Sequence, residues 1–317
     1  MLKYLIVQLD DSTPSFCHYP AGDKAPRLIP LDTLRKALLW SMKENLTVQF
    51  IYPDYELPRE YTELIDTVYH ADIVSSDSKS SNLLAAAEVV VLNSLELPAD
   101  FTFAEGKAYV WRTSVSEFLK YHGKLTAILS RIERMNVVFT DVANFKDSLK
   151  EDYSKALDNL ASVIVSEYER QHTVQLNLLT DRLLLEEMNN CNAGDESITL
   201  CPDGRFYICP AFYTDVENTV GDLENGPDVK NPQLYRLDHA PICRTCDAWH
   251  CRRCVLLNHN LTLEVNTPSR QQCVMAHLER NAAARLLETI ITKGNLPANQ
   301  SLKEVDCLDP FEKIIIQ

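Results

Sequence analysis

The stretch Cys243-Arg-Thr-Cys246-Asp-Ala-Trp-His-Cys251-Arg-Arg-Cys254 sets two Cys-x2-Cys pairs four residues apart. Thiolates are soft ligands, and two such pairs can converge on one tetrahedral centre. The run therefore reads as a metal or iron–sulfur site. Eight of the chain's ten cysteines fall between Cys191 and Cys273, leaving Cys17 and Cys307 outside. The spacing of Cys243, Cys246, Cys251 and Cys254 alone suits a closed zinc site at least as well as a cluster. The further thiols Cys191, Cys209 and Cys273 tip the reading toward iron–sulfur. His250 within the run and His259 just after it read as surface histidines.

Composition bounds the rest. The 317 residues suffice for one large domain or a medium and a small one, and a hydrophobic content of 45% is that of an ordinary globular core. A formal net charge of −14 argues against nucleic acid or an anionic membrane as partner. The apolar run at the start is too short for a signal-peptide core, and no stretch approaches a membrane-spanning length. A cytoplasmic chain is expected, where thiols stay reduced, so a disulfide framework is the poor reading of the cysteines.

The elements that must position these thiols begin with a strand over residues 3–9, ending at Asp10-Asp11. An amphipathic helix follows from Leu31 to Asn45, then a strand from Thr47 to Tyr52, a helix from Glu60 to Tyr69 and a strand from Val89 to Leu92. Further strands are expected over Lys107–Trp111, Met135–Thr140 and Val174–Leu179, with helices over Ser116–Ile132 and Phe145–Glu169. This alternation predicts an α/β fold with a mainly parallel sheet, open or barrel-like.

Past Cys191 the pattern changes to short strands and turns. Ile198 to Cys209 reads as a β-hairpin around Pro202-Asp203-Gly204, with Gly204 left-handed in a three-residue loop. That register pairs Leu200 with Phe206 and Ile198 with Ile208, and leaves Cys201 and Cys209 on the polar face, roughly 13 Å apart. Cys209 is then the better ligand and Cys201 a bystander. A last helix is expected from an N-cap at Thr267, with Pro268 at its first position, to a stop at Lys293-Gly294. Cys273 falls near its start, where the helix dipole favours a thiolate.

In order, the motif is Cys191-x12-Gly204-x4-Cys209, a gap, Cys243-x2-Cys246-x4-Cys251-x2-Cys254, a gap, and Cys273. It resembles the seven-cysteine signature of SPASM domains, the auxiliary iron–sulfur modules of radical SAM peptide-modifying enzymes. The usual spacing there is x5 and x3 where this chain has x4 and x2. The resemblance implies one [4Fe-4S] cluster on Cys243, Cys246, Cys251 and Cys273, and a second site drawing on Cys191, Cys209 and Cys254. Arg244, Arg252 and Arg253 would offset thiolate charge there, or stand as solvated surface arginines. The preceding region would be a degenerate radical SAM-like partial (β/α) barrel. Its defining C-x3-C-x2-C triad is missing: Cys17 stands in that loop, but Ala21 and Lys24 occupy the completing positions. Binding of S-adenosylmethionine is therefore not expected. Tyr4-Leu5-Ile6-Val7…Leu9-Asp10-Asp11…Ser15-Phe16-Cys17-His18-Tyr19, with Ile51-Tyr52-Pro53-Asp54-Tyr55-Glu56-Leu57-Pro58, is similar to the CXXX repeat peptide maturase family.

That resemblance implies an α/β barrel domain over 1–185, a SPASM-like module over 186–294 and a tail over 295–317. It also implies a cysteine-repeat precursor peptide and a true radical SAM maturase as partners. It leaves open whether this chain is itself a maturase or a non-catalytic accessory subunit. The alternative is a zinc-stapled scaffold or peptide-binding protein without redox chemistry. Cys17-His18 reads as an ordinary loop pair. Asp10, Asp11, Asp54 and Glu56 fall at strand ends, the active face of a barrel, yet read as solvated acids. No Walker loop, zincin helix or nucleophile elbow occurs.

Overall fold

A computed structural model describes residues 2–20, 25–184, 192–214, 216–240, 243–248 and 254–293. The chain divides into two compact units, Met1–Leu92 with Cys191–Arg236, and Asn93–Asn190 with Leu237–Gln317.

In the first unit, β1 (Tyr4–Gln8), β2 (Thr47–Ile51), β3 (His70–Ser75) and β4 (Val89–Leu92) pair in parallel in chain order. Helices α1 (Leu31–Lys43), α2 (Arg59–Ile65) and α3 (Ser81–Ala86) connect them. Alternate strand residues bury against the helices: Leu5, Val7 and Leu9, Val48, Phe50 and Tyr52, and Val74 meet Leu34, Leu38, Tyr61 and Ile65. The period of two thus turns Gln8 and Asp10 to the opposite face.

On the other side of β1 lies β8 (Ser197–Leu200), also parallel, with Ile6 opposite Thr199. Antiparallel strands β9 (Arg205–Tyr207), β10 (Thr219–Asp222) and β11 (Gly226–Pro227) continue outward from it. The hairpin has the expected register, Leu200 opposite Phe206, and Gly204 adopts φ +79°. Its expected polar face is not solvated, because β8 is a central strand: Thr199 and Cys201 are wholly buried.

Within the second unit, β5 (Ala108–Thr113), β6 (Arg134–Phe139) and β7 (Gln175–Leu176) are parallel. A capping box of Ser114 and Glu117 starts α4 (Val115–Leu129), and α5 (Lys150–Glu169) packs on it with Phe118 against Tyr153. The expected strand at Val174–Leu179 shortens to two residues. The Asn177 side chain takes over the pairing there, accepting from Val137 N at 2.8 Å and donating to Val137 O at 2.9 Å. The chain then turns through Thr180 into the short helix α6 (Asp181–Leu184).

The last helix, α8 (Arg270–Lys293), begins later than expected. Ser269 rather than Thr267 caps it: Ser269 Oγ accepts from Gln272 N at 3.3 Å, and Gln272 Oε1 accepts from Ser269 N at 2.8 Å. This is the reciprocal Ser-x-x-Gln box. Before it lies α7 (Val255–Thr262), which the sequence pattern did not suggest. Among the described residues no helix is long and apolar enough to cross a membrane.

Candidate functional site

The C-terminal end of β1 carries a dense polar network within the first unit. Asp10 is fully buried; its Oδ1 accepts from Ser12 N at 2.8 Å and Ser12 Oγ at 2.6 Å, and its Oδ2 from Tyr55 Oη at 2.7 Å. Asp11 accepts from Arg27 Nε at 2.8 Å and from Tyr213 Oη at 2.7 Å, while Arg27 Nη2 donates to Tyr213 Oη at 2.6 Å. The reading of Asp10 and Asp11 as solvated acids is therefore corrected. Glu56 is exposed, and Asp54 is half-buried, its carboxyl pushed up by burial and by Asp77. Burial and the adjoining carboxylates hold the phenols of Tyr55 and Tyr213 protonated, well above their ordinary range. Every oxygen of the two carboxylates accepts at least one hydrogen bond, so this strand end is held as a strut.

Tyr213→Phe removes the hydroxyl that bridges Asp11 and Arg27. It is expected to cost about 2 kcal/mol, the range for hydrogen bonds to charged groups. Urea unfolding should show a lower midpoint at unchanged slope.

Beside this strut stand three thiols. Cys201 is buried with Tyr207 and Tyr213, and its Sγ lies 3.7 Å from Gln8 Oε1. Cys209 is partly exposed just beyond the hairpin. The Tyr19 phenol is pushed well up by burial first, then by neighbouring Cys17 and Cys209 and, more weakly, Cys201. Cys17, Cys201 and Cys209 thus share one neighbourhood around a phenol, which their separation in sequence hides.

The second unit holds Cys243, Cys246, Cys254 and Cys273. A 3-10 turn, Cys243–Thr245, returns the chain so that Cys246 N donates to Cys243 O at 3.2 Å. Cys246 is buried against Ala248 and Ala276, the latter on α8, and its Sγ lies 3.7 Å from His277 Nε2. Asp247, next in the turn, pairs with Arg280 of α8 at 3.6 Å. Cys273 sits one helical turn before His277, at i and i+4, so both side chains share a helix face.

Cys254 is buried immediately before α7, and its carbonyl accepts from Asn258 N at 3.1 Å. Asn258 is fully buried; it donates to Val265 O at 3.0 Å and accepts from Gln272 Nε2 at 2.9 Å. Gln272 belongs to the cap of α8 and precedes Cys273. One relay of side-chain amides therefore sets α7, which Cys254 precedes, and α8, which carries Cys273. Asn258→Ala is expected to cost about 2 kcal/mol by orphaning these buried groups, read as a lowered urea midpoint.

Cys191 and Cys251, with His250, Arg252, Arg253 and Cys307, lie outside the described residues. Neither Cys243, Cys246 and Cys273 nor Cys243, Cys246 and Cys254 gather their Sγ atoms within 4.8 Å of one another. Sulfurs around a single zinc stand about 3.8 Å apart, given Zn–S bonds of about 2.3 Å. The donors themselves are soft, one of them buried beside an imidazole, which suits a thiophilic metal or an iron–sulfur centre.

No protein-family model matches the sequence, and no curated protein matches it. Among solved structures the fold is similar to anSMEcpe with bound AdoMet: TM-score 0.60 at 13% identity, covering 90% of this chain and 98% of that one. It is similar also to anSMEcpe with bound AdoMet and Cp18Cys peptide, at TM-score 0.59 and 14% identity, covering 92% and 100%. SuiB of Streptococcus suis bound to S-adenosylmethionine aligns at TM-score 0.46 and 12% identity, covering 86% of this chain and 77% of that one. The α/β architecture, with its parallel sheet and surrounding helices, resembles the radical SAM enzyme fold.

Proposed function

We propose that this chain is a component of a ribosomal peptide-maturation system. It binds a cysteine-repeat precursor peptide and acts beside a true radical SAM enzyme. The observation that carries the reading is the coincidence, in one chain, of a radical SAM-like fold over nine-tenths of its length with a cysteine turn packed on α8. Cys243, Cys246, Cys251 and Cys273 would hold a [4Fe-4S] cluster, and Cys191, Cys209 and Cys254 would serve a second site. Such a centre, when bound, supplies an electron route or an open iron site for a thiol-rich peptide.

The chain's own residues do the remaining work. The Cys243–Thr245 turn, with the Asp247–Arg280 pair behind it, presents the thiols from a fixed scaffold. The strut of Asp10, Asp11, Arg27, Tyr55 and Tyr213 adds side-chain ties to the backbone bond from Asp11 N to Arg27 O at the β1 end. The loop after β1 has a single cysteine, so cleavage of S-adenosylmethionine is left to the partner enzyme.

The test is peptide binding. A labelled synthetic peptide of repeated Cys-x3 units is titrated with anaerobically purified protein and followed by fluorescence anisotropy. Saturable binding that weakens severalfold when serine replaces the peptide cysteines is expected. Equal affinity for both peptides, or none for either, would contradict the reading.

A further inference from the structure

The cysteine motif is all thiol, yet the buried sulfur of Cys246 stands beside an imidazole. We infer that His277 is a positioning residue for the metal-binding turn, donating its Nε2 hydrogen to the Cys246 thiolate and setting the ligand strength of that sulfur. The inference rests on the reading of Cys246 as a ligand and adds a residue that the cysteine pattern does not contain.

Three neighbouring contacts fix the geometry. Cys246 Sγ lies 3.7 Å from His277 Nε2, within the range for a hydrogen bond to sulfur. One residue before His277, Ala276 packs against Cys246 and Ala248. Three residues after it, Arg280 pairs with Asp247 at 3.6 Å, its side chain 17% exposed and that of Asp247 10%. Packing and an ion pair therefore bracket the imidazole along α8. Sliding the turn along the helix would break both, so the sulfur is held at the imidazole rather than brushing it. Cys273, one turn earlier on the same face, brings a second thiol of the proposed set to this helix.

The chemical consequence follows from charge. A thiolate that accepts a hydrogen bond gives less electron density to its metal. A cluster is then easier to reduce, because hydrogen bonds to its sulfurs favour the more negative state. In a zinc site the same donor also favours the thiolate over the thiol and orients its sulfur, so that its loss weakens metal binding.

The experiment compares wild type, His277→Leu and His277→Gln after anaerobic purification and iron–sulfide reconstitution. Glutamine can keep an N–H donor, whereas leucine keeps bulk without one. Iron and sulfide content should match in all three. In an EPR-monitored redox titration, His277→Leu should lower the reduced-to-oxidised ratio at a fixed poise about tenfold, or about 59 mV for one electron. His277→Gln should restore most of that shift. An unchanged potential in the leucine variant overturns the proposal, as does loss of metal from both variants, which would make His277 a ligand instead.

If wild type holds zinc rather than iron, the redox reading of function fails while His277 is still tested. Competition with a chromophoric chelator should then show zinc held about 10–100-fold less tightly in His277→Leu, with His277→Gln close to wild type. Equal zinc affinities, or a wild type that takes up neither metal, overturn the proposal.

Discussion

Glu279→Ala is expected to destabilise the second unit by about 3–5 kcal/mol, the cost of leaving one partner of a buried ion pair uncompensated. Arg182 and Glu279 are only 3% and 7% exposed. Arg182 Nη2 donates to Glu279 Oε2 at 3.3 Å and to Ala276 O at 3.2 Å, and Nη1 donates to Leu178 O at 3.1 Å. The other carboxylate oxygen, Oε1, accepts from Tyr153 Oη at 2.8 Å, so α5, α6 and α8 meet at one carboxylate. Alanine would strand a guanidinium where water cannot reach it and leave the Tyr153 hydroxyl without its acceptor. The double substitution Arg182→Met with Glu279→Leu removes both charges and should recover much of the loss. Urea unfolding of the three variants decides the matter. A cost below about 1 kcal/mol for Glu279→Ala would show that the pair is solvated in solution.

The effect has a functional reading, because Ala276 lies between this network and the cysteine turn. Its carbonyl receives Arg182, and its side chain packs on Cys246. Slackening α8 at Glu279 should therefore loosen the seat of Cys246 and Cys273 as well.

Cys246→Ala is the second large effect. It is expected to abolish most bound metal and the metal-dependent part of the second unit's stability, since the remaining thiolates would surround a missing ligand. Cys246 is buried, and its backbone N donates to Cys243 O. Cys251→Ala should behave alike, and Cys307→Ala should change neither metal content nor stability. Metal analysis beside thermal unfolding checks all three. Full metal retention in Cys246→Ala and Cys251→Ala would contradict the ligand assignment.

What the sequence made legible was periodic or local. The strand–helix alternation led to the parallel sheet, and Pro202-Asp203-Gly204 between apolar runs led to the hairpin register. β3 escaped because its segment, His70-Ala-Asp-Ile-Val-Ser75, mixes buried charge with apolar residues; Asp72 is buried there, its carboxyl pushed up by burial. The start of α8 was misplaced because Thr267-Pro268 imitates a cap, whereas Ser269-x-x-Gln272 makes one.

The strut at the end of β1 was not legible at all. Asp10 and Asp11 meet partners 45, 16 and 202 residues away, and no local pattern encodes such meetings. His277 did leave a signal: it stands four residues after Cys273, the spacing that puts two side chains on one helix face. The cysteine spacing drew attention to thiols, and the imidazole beside them emerged from packing.

The measurement that bears most directly on the account is metal analysis of anaerobically purified protein. Iron, acid-labile sulfide and zinc are quantified together, and the reduced protein is examined by EPR. The account predicts iron and sulfide at about one or two four-iron clusters per chain, with a reduced-cluster signal. One zinc per chain with no labile sulfide, after attempted reconstitution, would contradict it and leave a zinc-stapled binding protein.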